Sequence, residues 1–253
     1  MSVLLSTVVA HLDAILRIRE IPDDARALNG LQVDGGGDDV SRVAVAVDAC
    51  QASIDSAATA GADLLIVHHG LFWGGLEPLT GRHGRRVRRL MGAGLSLYGA
   101  HNPLDLHPEL GNNALLARDL GLAALEPFGV WLGVQVGFGG ALSTTRAELA
   151  RRIAARVGTT PQVIATGPEQ VRRVAVVTGA GSSTLREARD AGYDTLVTGE
   201  APHHAYFDAE EWGLNLMLAG HYATETIGVR ALGQHLEVQF GLPWQFIDHP
   251  TAL

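Results

Sequence analysis

Arg42 to His69, RVAVAVDACQASIDSAATAGADLLIVHH, is the stretch that decides the fold. It reads as an apolar strand, a helix and a second apolar strand that closes in a polar pair. Arg173 to Glu200, RVAVVTGAGSSTLREARDAGYDTLVTGE, repeats the same three pieces in the same order. Laid together without a gap, the segments match at Arg42/Arg173, Val43/Val174, Ala44/Ala175 and Val45/Val176, and again at Ala57/Ala188. Ala60/Ala191, Gly61/Gly192, Asp63/Asp194 and Leu65/Leu196 complete the match. The expectation is an α/β protein of two similar halves related by an internal repeat. The halves are 1–125 and 126–253, with the C-terminal segment able to return onto the first.

Outward from the repeat, Leu5, Val8, Val9, Leu12 and Leu16 have the spacing of one helix face, so the N-terminus reads as a core helix and not a signal peptide. Thr145 with Glu148 has the form of a capping box opening a helix through Val157, and Val130 to Phe138 reads as a strand. At 253 residues, with 47% hydrophobic and 18% charged residues, the chain can bury a sizeable core. It has no apolar run long enough for a membrane span. Cys50 is the only cysteine, which excludes an internal disulfide and any cysteine-rich zinc site and points to a reducing, cytoplasmic setting. A net charge of −8 argues against nucleic acid as a partner. The local exception is Arg82 to Arg89, where five of eight positions are Arg. It reads as a solvated helix face, with phosphate binding as the alternative.

The repeat extends into the chemistry. LSLYGAH ending at His101 parallels NLMLAGH ending at His221, and a carboxylate stands four residues past each histidine, Asp105 and Glu225. Of 11 histidines, His68, His69, His101, His203, His204 and His221 fall at or just past strand ends, where ligands of α/β sheets gather. Separately each has a bland reading. An adjacent pair such as His68–His69 is often incidental, and a His and a Glu four apart lie on many solvated helices. Together they point to metal. Neighbours on a strand face opposite sides, so His68 and His69 suit two ions better than one. His221 and Glu225 share a face if a helix begins there, whereas Pro103 and Pro108 suggest a loop around Asp105. Imidazole with carboxylate and no thiolate favours Zn, Mn, Fe or Co.

With those residues in place, the chain resembles the Nif-three-like dinuclear metal centre family, often called GTP cyclohydrolase I type 2 homologues. The matching motifs are NGLQV from Asn29, VDA from Val47, HHGLFWGG from His68, AHNPLDLHPELGNN from Ala100, TGEAPHH from Thr198 and AGHYATE ending at Glu225. The resemblance implies two divalent ions per chain in a cleft between the halves, held by His68, His69, Asp105, His221 and Glu225, with Glu225 bridging. It also implies a ring-shaped homohexamer. The departures are Gly70 where the family usually has Pro, Asn102–Pro103 where it has Thr-Asn, and Asn113 and Glu200 where it has Asp. None of them removes a ligand.

The implied activity is a metal-dependent hydrolase, cyclohydrolase-like, acting on a nucleotide-like or other phosphorylated small molecule. His101, His203, His204 and Tyr222 are its candidate acid/base or substrate-contacting residues. The alternative is a non-catalytic metal-binding regulator or ring-shaped assembly module that binds protein or nucleic acid.

Overall fold

The computed structural model describes residues 2–252. In chain order the elements are β1 (Val3–Leu4), α1 (Leu5–Leu16), β2 (Gly30–Val33), β3 (Asp39–Val40), β4 (Val43–Asp48), α2 (Gln51–Thr59), β5 (Leu64–His69), α3 (Gly81–Gly92), β6 (Ser96–Gly99), α4 (Asn102–Asp105) and α5 (Asn112–Leu120). They continue with β7 (Ala123–Trp131), β8 (Val134–Thr145), α6 (Arg146–Val157), β9 (Gln162–Ala165), β10 (Gln170–Val177), a 3₁₀ turn (Gly181–Thr184), α7 (Leu185–Asp190), β11 (Thr195–Thr198), α8 (Ala205–Trp212), β12 (Asn215–Leu218), α9 (His221–Phe240) and β13 (Trp244–Phe246). Among the described residues no helix is long and apolar enough to cross a membrane.

The chain divides into two compact units, Met1–Leu104 with Gly228–His249, and Asp105–Ile227 with Pro250–Leu253. The first boundary falls earlier than 125, because the buried face of α5, including Leu116 and Leu120, packs into the core of β8, β10 and α6, so α5 belongs with the second unit. The C-terminal segment returns onto the first unit as β13, where Trp244 to Phe246 pair in parallel with Val43 to Val45.

The first unit is built on a five-stranded sheet in the order β13-β4-β5-β6-β2, with β2 antiparallel to β6 and the other pairs parallel. Both faces are covered, which is why β4 and β5 are unbroken apolar runs and not alternating ones. Ala44, Ala46, Leu65, Val67 and Leu97 face Ile54 and Ala57 of α2 and Leu90 of α3. The expected N-terminal helix is α1, with Leu5, Val8, Leu12 and Leu16 buried.

The second unit holds a six-stranded sheet, β7-β8-β10-β11-β12-β9, whose central β10, β11 and β12 are parallel. Val174, Val176, Val197 and Met217 pack against Leu116, Leu149 and Ile153 on one face. Ala175, Leu196 and Leu216 pack against Leu185, Ala188 and Ala209 on the other.

The repeat reappears in the backbone bonding. Asp63 N donates to Arg42 O at 2.9 Å as Asp194 N does to Arg173 O at 3.0 Å, and Ala100 N donates to Val67 O as Ala219 N does to Thr198 O. The Asp63 carboxylate accepts from the N–H groups of Ser41 and Arg42, and the Asp194 carboxylate from those of Arg172 and Arg173. Each aspartate therefore ties the start of one strand to the start of its neighbour.

Two expectations need correction. Val130 to Phe138 is not one strand, because β7 and β8 turn at Leu132 (φ 48°) and Gly133 (φ 81°), the paired positive φ of a tight hairpin. The segment after His101 is not a loop, because Asn102 to Asp105 form one helical turn. Pro103 sits in that turn, where no intrahelical N–H bond is required of it. The Arg82–Arg89 run lies on α3 with Arg82, Arg85 and Arg88 outward, while Thr145 Oγ1 caps α6 by accepting from Glu148 N at 3.1 Å.

Candidate functional site

In the first unit the polar residues gather where the parallel strands end. β5 stops at His69, and Asp48, the last residue of β4, lies beside it in register. His68 is 1% exposed. Its Nδ1–H donates to Ala100 O at 2.9 Å, and a carbonyl oxygen can only accept, so the proton is on Nδ1 and Nε2 carries a lone pair. His69 Nδ1 is bonded to Asp48 Oδ1 at 2.9 Å. His101, directly after β6 and Ala100, donates from Nδ1 to Asp23 Oδ1 at 2.9 Å, and its backbone N–H donates to Asn29 Oδ1 at 2.7 Å. One donor atom from each of His68, His69 and His101 lies within 4.8 Å of the others, close enough to hold a metal ion.

Strand alternation would have sent His68 and His69 to opposite sides, yet their ring centroids are 4.8 Å apart. His69 is the terminal strand residue, and the Asp48 carboxylate holds its ring on the same side as that of His68. Trp73 closes this group edge-on, its ring centroid 4.8 Å from that of His101.

Gln32 fixes the loop after β5. Its carboxamide donates to Ala27 O and Leu28 O and accepts from Leu71 N at 2.9 Å. It occupies the space that side chains at Gly70 and Gly99 would need, since a Cβ at Gly70 would fall 2.1 Å from Gln32 Nε2.

Opposing effects meet at Asp23. Burial would raise the carboxyl's pKa, but the hydrogen bond and charge of His101, with Asn29 Nδ2 and Asn102 N donating to it, leave it below the usual carboxylate value. Asp23 is therefore an anion that orients His101.

In the second unit α9 begins at His221, so the His221/Glu225 interval is one turn of helix. Nε2 of His221 is 3.2 Å from Glu225 Oε2, and its Nδ1 donates to Glu200 Oε1 at 3.0 Å. Burial would lower the His221 pKa, but the bonds and charges of Glu225 and Glu200 outweigh it and push it up to about 9.

Glu225 is 3% exposed beneath the loop that follows β10, where Gly179 holds φ at 62°. A Cβ at Gly179 would lie 2.2 Å from Glu225 Oε1, so only glycine lets the loop approach the carboxylate. Asp105 ends α4, is 8% exposed, and accepts from Asn112 Nδ2 at 2.8 Å and from Thr178 Oγ1. Asn113 accepts from Thr178 N at 2.7 Å and donates to Val136 O, so this amide both gives and receives here.

Tyr222 and Glu200 line a cavity of about 400 Å³ together with Thr159, Thr160 and Gln162, and no arginine lines it. His203 and His204 are exposed at the start of α8. The His203 ring packs edge-on to Phe207, and His204 lines a different cavity.

Comparison with known proteins finds relatives over nearly the whole chain. The sequence profile described as Duf34/NIF3 (NGG1p interacting factor 3) matches residues 3–252. A GTP cyclohydrolase 1 type 2 homolog of Deinococcus radiodurans is 46% identical over 247 residues, covering 97% of this chain and 93% of that protein. One from Halobacterium salinarum is 47% identical over 253 residues, covering 98% and 99%. The crystal structure of a Thermus thermophilus protein matches with a TM-score of 0.92 at 44% identity, covering 99% of this chain and all of that one. By sequence over nearly its full length and by fold, the chain belongs to the Duf34/NIF3 family.

Proposed function

We propose that this protein is a metal-dependent hydrolase, similar to the proteins named GTP cyclohydrolase 1 type 2 homologs, acting on a nucleotide-like or other phosphorylated small molecule. His68, His69, Asp105, His221 and Glu225 would hold two divalent ions, Glu225 being the carboxylate that the family resemblance assigns to both. Zn, Mn, Fe or Co suits this donor set of imidazole and carboxylate without thiolate.

The observation that carries the reading is a shared hydrogen-bond pattern. His68, His69, His101 and His221 each commit Nδ1 to a protein oxygen, Ala100 O, Asp48, Asp23 and Glu200 respectively. On His68, His69 and His101 the atom turned toward an ion would be Nε2, whereas Nε2 of His221 lies 3.2 Å from Glu225 Oε2 and would give up its proton to an ion. Histidines that bind metal are held this way, because the outer partner fixes ring orientation and makes the imidazole more basic.

Bound ions would supply Lewis-acid polarisation and an activated nucleophile near neutral pH. The chain's own residues do the rest. Asp23 holds His101 with Nε2 directed away from it, poised to take or give a proton. Glu200 orients His221, and Tyr222 with Thr159, Thr160 and Gln162 forms an uncharged wall for the organic part of a substrate. His203 and His204 act at the outer edge, as substrate contacts. The homohexamer is part of the same proposal and rests on the family resemblance.

The test is elemental analysis of chelated and reloaded protein, combined with turnover of purine nucleotides and phosphomonoesters with and without metal. Metal-dependent turnover supports the hydrolase. Full metal loading with metal-independent binding of a protein or nucleic-acid partner and no turnover supports the regulator or assembly module.

A further inference from the structure

The second unit has another cavity, about 250 Å³, from which the hydrolase reading uses only His204. Ser182, Ser183, Arg186, His204, Asp208 and Trp212 line it. The two serines belong to the 3₁₀ turn that follows β10, Arg186 lies on α7, and His204 immediately precedes α8 in the connection after β11. Side chains from the connections after two adjacent parallel strands thus meet beyond the strands' carboxyl ends, where α/β sheets place ligands.

The lining favours an oxyanion. Arg186 and Arg189 both lie over the Trp212 ring, at 5.3 and 4.6 Å from its centroid. Arg189 also pairs with Asp190, whereas Arg186 makes no ion pair among the described residues. Stacking uses the flat face of a guanidinium and leaves its N–H edge for a ligand. Two hydroxyls and an imidazole add donors around it. Asp208 is the one carboxylate in the lining, and it can accept only from a ligand that carries a hydroxyl or a proton of its own. A monoprotonated phosphate or a sugar phosphate provides both. The volume decides the ligand's extent, because it falls below the ~300 Å³ at which pockets begin to enclose drug-sized ligands. It takes a phosphoryl group with part of a sugar, not a whole nucleotide.

We infer that this cavity is a phosphoryl-binding subsite, with Arg186, Ser182, Ser183 and His204 as donors and Asp208 as acceptor. Gly179, whose Cβ would touch Glu225, is three residues from Ser182, a span of at most about 11 Å of extended chain. A phosphate held there is within one nucleotide's length of the His221–Glu225 pair. As an anion site the cavity stands apart from the metal reading; as the seat of a substrate's phosphoryl end it rests on it.

The test is calorimetric titration of the chelated, metal-free full-length protein with inorganic phosphate and, separately, with ribose 5-phosphate. We expect saturable millimolar binding at one site per chain, tighter for the ester. Arg186→Ala should weaken it at least tenfold and Arg186→Lys less, since an ammonium lacks the fork of donors. Asp208→Asn should tighten inorganic phosphate severalfold by removing a like charge. Arg85→Ala, on the basic face of α3, should change nothing, with circular dichroism confirming the fold of each variant.

No binding to metal-free protein, or equal binding by Arg186→Ala, would overturn the site. Phosphate bound only after metal reloading would also overturn it, and would place the anion on the ions. Binding of inorganic phosphate without the ester would overturn the subsite role. Because no metal is present in the titration, failure of the dinuclear proposal leaves its outcome unaffected.

Discussion

At the scale of single residues, the polar clusters at the strand ends were legible where the repeat doubled them. His101 and His221 follow matched strands, and Asp105 and Glu225 come after them at the same interval. The residues that hold those side chains were harder to see. Asp48 could have been found, because in parallel strands the residue ending β4 must lie beside the one ending β5. Asp23 could not, since it comes from the irregular segment between α1 and β2, which has no periodicity, and reaches His101 only through the fold. The Nδ1 partners give one prediction. Asp48→Ala should lower metal affinity by about 10- to 100-fold without unfolding the protein, measured by competition with a chromophoric chelator.

His221 gives a second prediction at this scale. Its folded pKa of about 9 lies above the ordinary value of 6.5, so its contribution to the stability of metal-free protein is full below 6.5 and lost as pH rises through 9. The urea midpoint of metal-free protein should fall between pH 7 and 9.5, and His221→Gln should flatten that slope. Metal loading should run the other way over the same window, because the ion competes with the proton on His221.

At the scale of elements, the apolar strands and α1 were legible because burial on both faces leaves an unbroken hydrophobic run and burial on one helix face leaves a 3.6-residue period. The β7–β8 hairpin was not, because its turn is Trp131-Leu132-Gly133 and lacks the Asn or Asp that normally marks paired positive φ. The one-turn α4 was missed because proline reads as a breaker unless its place in the first turn is known. The most transferable device here is the pair Asp63 and Asp194, each accepting from two backbone N–H groups at a strand start. Asp63→Ala and Asp194→Ala should each cost about 1 kcal/mol in urea denaturation, since both sites are open to water. If only one of the two costs anything, the shared structural role of the repeat is contradicted.

At the scale of the whole molecule, the two-unit α/β architecture follows from the repeat, but the boundary between units did not. The repeat marks matched strands, while contacts decide where α5 packs. Oligomeric state has no signature in one chain. The proposed homohexamer of 26.7 kDa chains has a mass of about 160 kDa. Light scattering should report that mass at working concentrations, and a monomer would contradict it.

The proposed coupled pair of ions turns on Glu225. Metal content per chain should be measured for the parent, Glu225→Gln and His69→Ala after chelation and equal reloading, with circular dichroism confirming each fold. The parent should hold two ions and His69→Ala about one. Glu225→Gln keeps the size of the side chain but removes the negative charge that offsets two adjacent dications, so it should hold neither tightly. Two ions tightly retained by Glu225→Gln would contradict the bridging carboxylate and the coupled centre built on it.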